Sequence, residues 1–212
     1  MDVVIAGGHG KIGLLLGEML VERGDAVRGL IRKSEQAEDL SRAGIEGALC
    51  DLEGEADVAE AVRGAEAIVF AAGAGPGSGP ERKWTMDFGG AVKLIEAAEA
   101  EGVRRYVILS AMGAADPPAE GGVFGEYLRA KAKADRVLAA SGLDHTIVRP
   151  GSLTDDALTG RVEIAPRLPG GEISRADVAA VLAAVLPAEN TIGKAFDLIA
   201  GETPIAEAVT AV

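Results

Sequence analysis

Aromatic side chains are scarce in this sequence: four Phe, two Tyr and one Trp make up 3% of 212 residues. Hydrophobic residues still reach 48%, so the core has to be built from Ala, Val, Leu and Ile. Small aliphatic cores suit helices packed closely on a parallel sheet. Cysteine is nearly absent. A single Cys50 excludes a disulfide within the chain, fits a reducing compartment and reads as a small buried apolar residue. Two histidines, His9 and His145, and that one thiol support no metal site. Positive charge is also short. With 21 Lys and Arg against 33 Asp and Glu, the formal charge is −12. This balance argues against nucleic acid or an anionic membrane as a partner. No apolar run approaches the ~20 residues of a membrane helix. Met1–Ile5 enters a strand-like run with no basic segment or cleavage site, so a cytoplasmic location without a secretory signal is expected.

What is present is alternation. Short apolar runs at Val3–Ala6, Ala26–Ile31, Ile45–Cys50, Ala67–Ala71, Tyr106–Leu109, His145–Val148 and Ala195–Ile199 read as strands. Most are continuously apolar, as in strands buried on both faces. Between them, Lys11–Arg23, Glu35–Ala43, Ala56–Arg63, Trp84–Glu101, Tyr127–Ser141 and Arg175–Leu186 read as helices. Ile12, Leu15, Leu16, Met19 and Leu20 recur at helical spacing in the first. Gly24, Gly44, Gly64, Gly102 and Gly142 each follow a helix, where a left-handed cap favours glycine. The pattern predicts an α/β domain over residues 1–212: a Rossmann-type, doubly wound parallel sheet of about seven strands with helices on both faces. Two stretches, Gly73–Pro80 and Pro150–Gly171, read as irregular loops after strand ends, where ligands bind in such sheets.

The turn Gly7-Gly8-His9-Gly10-Lys11-Ile12-Gly13 lies between the first strand and the first helix. Gly8, Gly10 and Gly13 match G-x-G-x-x-G, and Gly7, Gly10 and Gly13 match a looser G-x-x-G-x-x-G. In either register a pyrophosphate can approach the backbone and meet the free N–H groups of a helix start. The second strand ends in Arg32, Lys33 and Ser34 where an NAD site usually carries a carboxylate. Arg32 suits a 2′-phosphate, so NADP(H) is the expected cofactor, with NAD(H) as the alternative. Asp51 and Leu52, after the third strand, fall where the adenine edge would lie.

Tyr127 and Lys131 stand one helical turn apart on one face. A nearby ammonium is expected to lower the phenol's pKa and to suit it for proton transfer. In these residues the chain resembles the short-chain dehydrogenase/reductase superfamily. It is most similar to the small atypical branch of NAD(P)H-binding proteins related to NmrA and to biliverdin/flavin reductases. The resemblance rests on Gly7–Gly13, Ala71-Ala72-Gly73, Tyr127/Lys131, Thr146–Gly151 and Ile173–Ala179, and covers nearly the whole chain. It implies that Ala71, Ala72 and Gly73 pass along the cofactor, that Pro150, Gly151, Ser152 and Leu153 lie near the nicotinamide, and that Tyr127 is the acid/base with Lys131 as its partner. The chain departs from the superfamily at one place. The usual hydroxyl position after the fifth strand falls on Ala111, with Ser110 one residue earlier.

The expected function is hydride transfer between NADP(H) and a small, unidentified substrate, with Tyr127, Lys131 and Ser110 as catalytic residues. Ala111 keeps a second reading open, a non-catalytic NADP(H)-binding redox sensor. NAD-dependent epimerase or dehydratase chemistry is a third. A monomer or small homo-oligomer is expected.

Overall fold

The computed structural model describes residues 1–75 and 77–212. Pro76, in the glycine-rich loop read after the fourth strand, lies outside the described residues.

The chain begins with β1 (Asp2–Ala6), α1 (Lys11–Glu22), β2 (Ala26–Ile31), α2 (Ala37–Arg42), β3 (Glu46–Leu49), α3 (Val58–Val62) and β4 (Ala67–Phe70). Next come a single helical turn, α4 (Pro80–Arg82), a π-helical stretch over Lys83–Gly90 and then α5 (Ala91–Glu101). The rest is β5 (Arg105–Leu109), α6 (Gly122–Ala140), β6 (Asp144–Pro150), β7 (Ser152–Thr154), β8 (Arg161–Ala165), β9 (Glu172–Ser174), α7 (Arg175–Val185), β10 (Lys194–Ala200), β11 (Thr203–Pro204) and α8 (Ile205–Thr210).

The main sheet has nine strands in the order β11-β8-β10-β6-β5-β4-β1-β2-β3. From β3 to β10 every pairing is parallel, and β8 and β11 extend the edge antiparallel. This is the expected doubly wound Rossmann-type fold, with more strands than the seven read from sequence. The additions are β8 and β11; Pro150–Gly171 is not wholly irregular, since β7 and β8 lie in it, and β7 pairs with β9 in a small separate sheet.

Alternate residues of the strands feed two cores, as a period of two requires. Val3 and Ile5 of β1 pack with residues of α1, α2 and α7, while Val4 and Ala6 pack with residues of α3, α5 and α6. Both faces are therefore covered. The order in which strands are added reverses between the parallel neighbours β1 and β4, the point where an open α/β sheet leaves a crevice at its carboxyl edge.

Most helix stops follow their glycines: Gly24, Gly44, Gly64 and Gly102 are left-handed, at φ +94°, +74°, +77° and +72°. Gly142 is not. Helix α6 has already ended at Ala140, and the extended Ser141 caps it instead.

Candidate functional site

The site is assembled from the carboxyl ends of β1, β2, β4, β5 and β6 and the loops that leave them. At its base, Gly7 takes φ +82°. A Cβ there would meet the Ala72 backbone at 2.8 Å. The Gly10 N–H donates to the Gly7 carbonyl at 2.8 Å, which closes the turn. Gly13 packs on that same carbonyl so closely that no side chain fits. Gly8 faces away, and a Cβ there would stand 2.6 Å from Gly29 Cα on β2. The glycines thus divide: Gly7 and Gly10 face the crevice, whereas Gly8 and Gly13 hold the turn to β2 and α1. Helix α1 starts at Lys11 without a side-chain cap, so its first N–H groups are available to an anion.

Two cavities open on this base. The first, of about 410 Å³, runs from Gly7 and Gly10 past Arg32 to Asp51, Leu52, Glu53 and Arg82. Arg32 is exposed at its rim and, among the described residues, is in no ion pair. Arg82 is held by Glu53 at 2.7 Å and by the Ala74 carbonyl at 2.9 Å. Cys50 is buried in the wall, and burial first, then Asp51, pushes its thiol upward, which leaves it inert.

The second cavity, of about 870 Å³, contains Tyr127, Lys131, Ser110, Ala111 and the segment Pro150–Leu153. Ala71, Ala72, Gly73 and Gly75 line both cavities, so the two form one trench across the switch point. Lys131 is buried, donates to the Leu109 carbonyl at 3.0 Å and stands 3.5 Å from Asp87. Asp87 belongs to the π-helical stretch; its Oδ2 accepts from the Ala74 N–H at 3.2 Å. A π-helical segment re-aims side chains relative to an α-helix and is frequent at functional sites.

Tyr127 overturns one expectation. Burial pushes its phenol above the ordinary value of 10.0, and Lys131 only partly offsets this; Asp87 and Asp135 add to the rise. Lys131 therefore does not make this phenol more acidic overall.

Ser110 lies on the cavity floor and is 2% exposed, with its hydroxyl lacking a partner among the described residues. It is near enough to Asp135 to favour that carboxylate's charged form. Burial nevertheless drives Asp135 upward, against the pull of Arg149, whose guanidinium is 3.0 Å away.

A match to the family model for NAD(P)H-binding domains spans residues 7–189. The chain belongs to the NAD(P)H-binding family. A Bacillus subtilis relative called an uncharacterized sugar epimerase is 41% identical over 99% of both chains. A Bacillus halodurans structure assigned to the NAD-dependent epimerase/dehydratases is 36% identical, covers 100% of both chains and has a TM-score of 0.95. An anaerobilin reductase from Escherichia coli O157:H7 is 27% identical over 94% of this chain and 97% of its own, with a TM-score of 0.82. This NAD(P)H-binding chain is thus a member of an atypical short-chain group that includes reductases and epimerase-like proteins.

Of the residues singled out from sequence, Gly7, His9, Gly10, Arg32, Asp51, Leu52 and Ala71–Gly73 meet in the first cavity, and Ile12, Ser110, Tyr127, Lys131 and Pro150–Leu153 in the second. Lys11 and Lys33 line neither. Lys11 turns outward to Asp155 at 2.6 Å, which also binds Arg175 at 2.7 Å. Lys33 is exposed, and its N–H donates to Gln36 Oε1 at 3.1 Å. His9 is tied down by Gln36 at 3.1 Å and Asp39 at 2.8 Å. Trp84 donates to Glu126 at 2.9 Å and lines neither cavity.

Asp87, Lys83, Glu53 and Arg82 were not singled out from sequence. Asp87 and Lys83 share one helical segment, but no pattern in the sequence says that its windings are π-helical. Among the described residues, no group of three or more His, Cys, Asp or Glu could hold a metal ion, and no helix is long and apolar enough to cross a membrane.

Proposed function

We propose that residues 1–212 act as one NADP(H)-dependent oxidoreductase domain, reducing a small substrate in the second cavity. The observation that carries this reading is the single trench: Ala71–Gly73 joins a phosphate-accepting glycine turn beside Arg32 to a chamber holding Tyr127 and Lys131. The groups present fit the dinucleotide. Gly7, where a Cβ would meet the Ala72 backbone, keeps the turn tight, and α1 offers uncapped N–H groups to the pyrophosphate. Arg32, in no ion pair among the described residues although Glu53 is near enough to feel its charge, would pair with the 2′-phosphate. Pro150–Leu153 and Lys131 would flank the nicotinamide end.

The bound cofactor supplies a hydride. The chain's own task is the proton. Tyr127 holds its proton at neutral pH, since burial raises its phenol, and so it serves as a donor to a reducible carbonyl or related group. Lys131, fixed by Leu109 and Asp87, positions the phenol and the ribose. The test is NADPH consumption with quinone, flavin and carbonyl acceptors. Tyr127→Phe should lower the rate by about 10²-fold or more with NADPH affinity retained. Unchanged turnover in that variant would contradict the role.

One observation favours a second reading, a non-catalytic redox sensor. The Ser110 hydroxyl is buried toward Asp135, and Ala111 offers none. Tight NADPH binding without turnover of any acceptor would select it.

A further inference from the structure

We propose that Lys83 is a specificity-determining residue, and that it selects a substrate carrying a carboxylate. The inference rests on the second cavity being the substrate side of the trench. Lys83 lines that cavity and is 9% exposed. Its ammonium donates to the Gly75 carbonyl at 3.0 Å and, among the described residues, is in no ion pair. An ammonium has three donors and is costly to bury without an anion. Lys131 offers the comparison in the same chamber: it is buried more deeply, and Asp87 stands 3.5 Å away. Lys83 has no such counter-charge among the described residues, which leaves its ammonium open to an anion that enters the cavity.

Its position fits a substrate anion. The Lys83 ammonium is 5.5 Å from the centre of the Tyr127 ring, within reach of whatever the phenol would protonate. The cavity's charged lining is Lys83, Lys131, Arg175 and Asp87, in a chain of net charge −12; Asp87 stands against Lys131 and Asp155 holds Arg175, so among the described residues Lys83 is the lining cation outside any ion pair. A local positive field in an acidic protein concentrates small anions at one place. The far wall is apolar: Val123, Phe124 and Leu153 are exposed there beside Met112. An apolar body with one carboxylate matches both walls.

The experiment uses the NADP⁺-saturated wild-type chain and two probes of one shape, 2-naphthoate and neutral 2-naphthamide, titrated by calorimetry. The acid should bind about tenfold more tightly than the amide. Lys83→Gln should erase that preference, Lys83→Arg should keep most of it, and NADPH affinity should be unchanged in both. Equal binding of acid and amide by the wild type, binding of neither, or a preference surviving in Lys83→Gln would overturn the proposal. A fall in NADPH affinity in Lys83→Gln would overturn it as well, because Lys83 would then read the cofactor. Failure of the wild type to bind NADPH at all would instead remove the underlying functional reading.

Discussion

The Tyr127 ring lies between two ammonium groups, with Lys83 at 5.5 Å and Lys131 at 5.9 Å from its centre. Desolvation still outweighs charge, and the phenol is held above its ordinary value of 10.0. For a proton donor the active form is the protonated one. Raising the phenol's pKa extends that form toward alkali, so the rate of reduction should stay level through neutral pH and fall only above about pH 10. A pH profile of NADPH-dependent reduction at saturating substrate measures this. A fall centred between about pH 7 and 9 would show a phenol with a lowered pKa and contradict the account. The Tyr127/Lys131 pairing was legible because both residues lie on one helix at a fixed spacing. The size and sign of the phenol's shift were not, since they depend on Asp87 and Asp135 and on the depth of the pocket, none of which spacing conveys.

At the scale of elements, α7 does more than close the fold. Ser174 caps it by accepting from the Asp177 N–H at 2.9 Å and donates to the Asp177 carboxylate at 2.7 Å. The same carboxylate accepts from the N–H groups of Thr159 at 3.0 Å and Gly160 at 2.8 Å. Asp177 thereby pins the approach to β8 onto the start of α7, beside the segment Pro150–Leu153 that lines the second cavity. Asp177 is 1% exposed, so its removal would strand several buried donors. Asp177→Ala should cost about 2–3 kcal/mol in urea unfolding. A loss below about 0.5 kcal/mol, the range of an ordinary surface substitution, would contradict this role. The seven strands read from sequence are all present, and most are apolar runs buried on both faces; β3, Glu46–Leu49, is largely exposed at the sheet edge. The short β7, β9 and β11 have too few residues to show a period. The antiparallel strand β8, Arg161–Ala165, carries charges at Arg161 and Glu163 on its exposed side. Helix α2 is shorter than Glu35–Ala43, since a 3₁₀ turn over Ser34–Gln36 precedes it. The helix read over Trp84–Glu101 is two segments, a π-helical stretch that begins at Lys83 and carries Asp87, and α5.

At the scale of the molecule, the sheet order places β1 and β4 side by side while their connections leave in opposite directions, and the trench lies over that division. The fold and the place of the crevice were legible from the alternation of strands and helices and from one glycine turn. The division of that crevice into an Arg32 end and a Tyr127 end needed the three-dimensional arrangement, because Ala71–Gly73 joins the two only in space. The central claim is that the trench takes NADP(H) along its length, with Arg32 on the 2′-phosphate. Calorimetric titration of the wild type and of Arg32→Ala with NADPH and NADH tests it most directly. The account predicts a wild-type preference for NADPH of about tenfold or more, and an Arg32→Ala variant that loses NADPH affinity by a similar factor while its NADH affinity stays unchanged. Equal affinity of the wild type for the two dinucleotides, or an Arg32→Ala variant that weakens both alike, would contradict it.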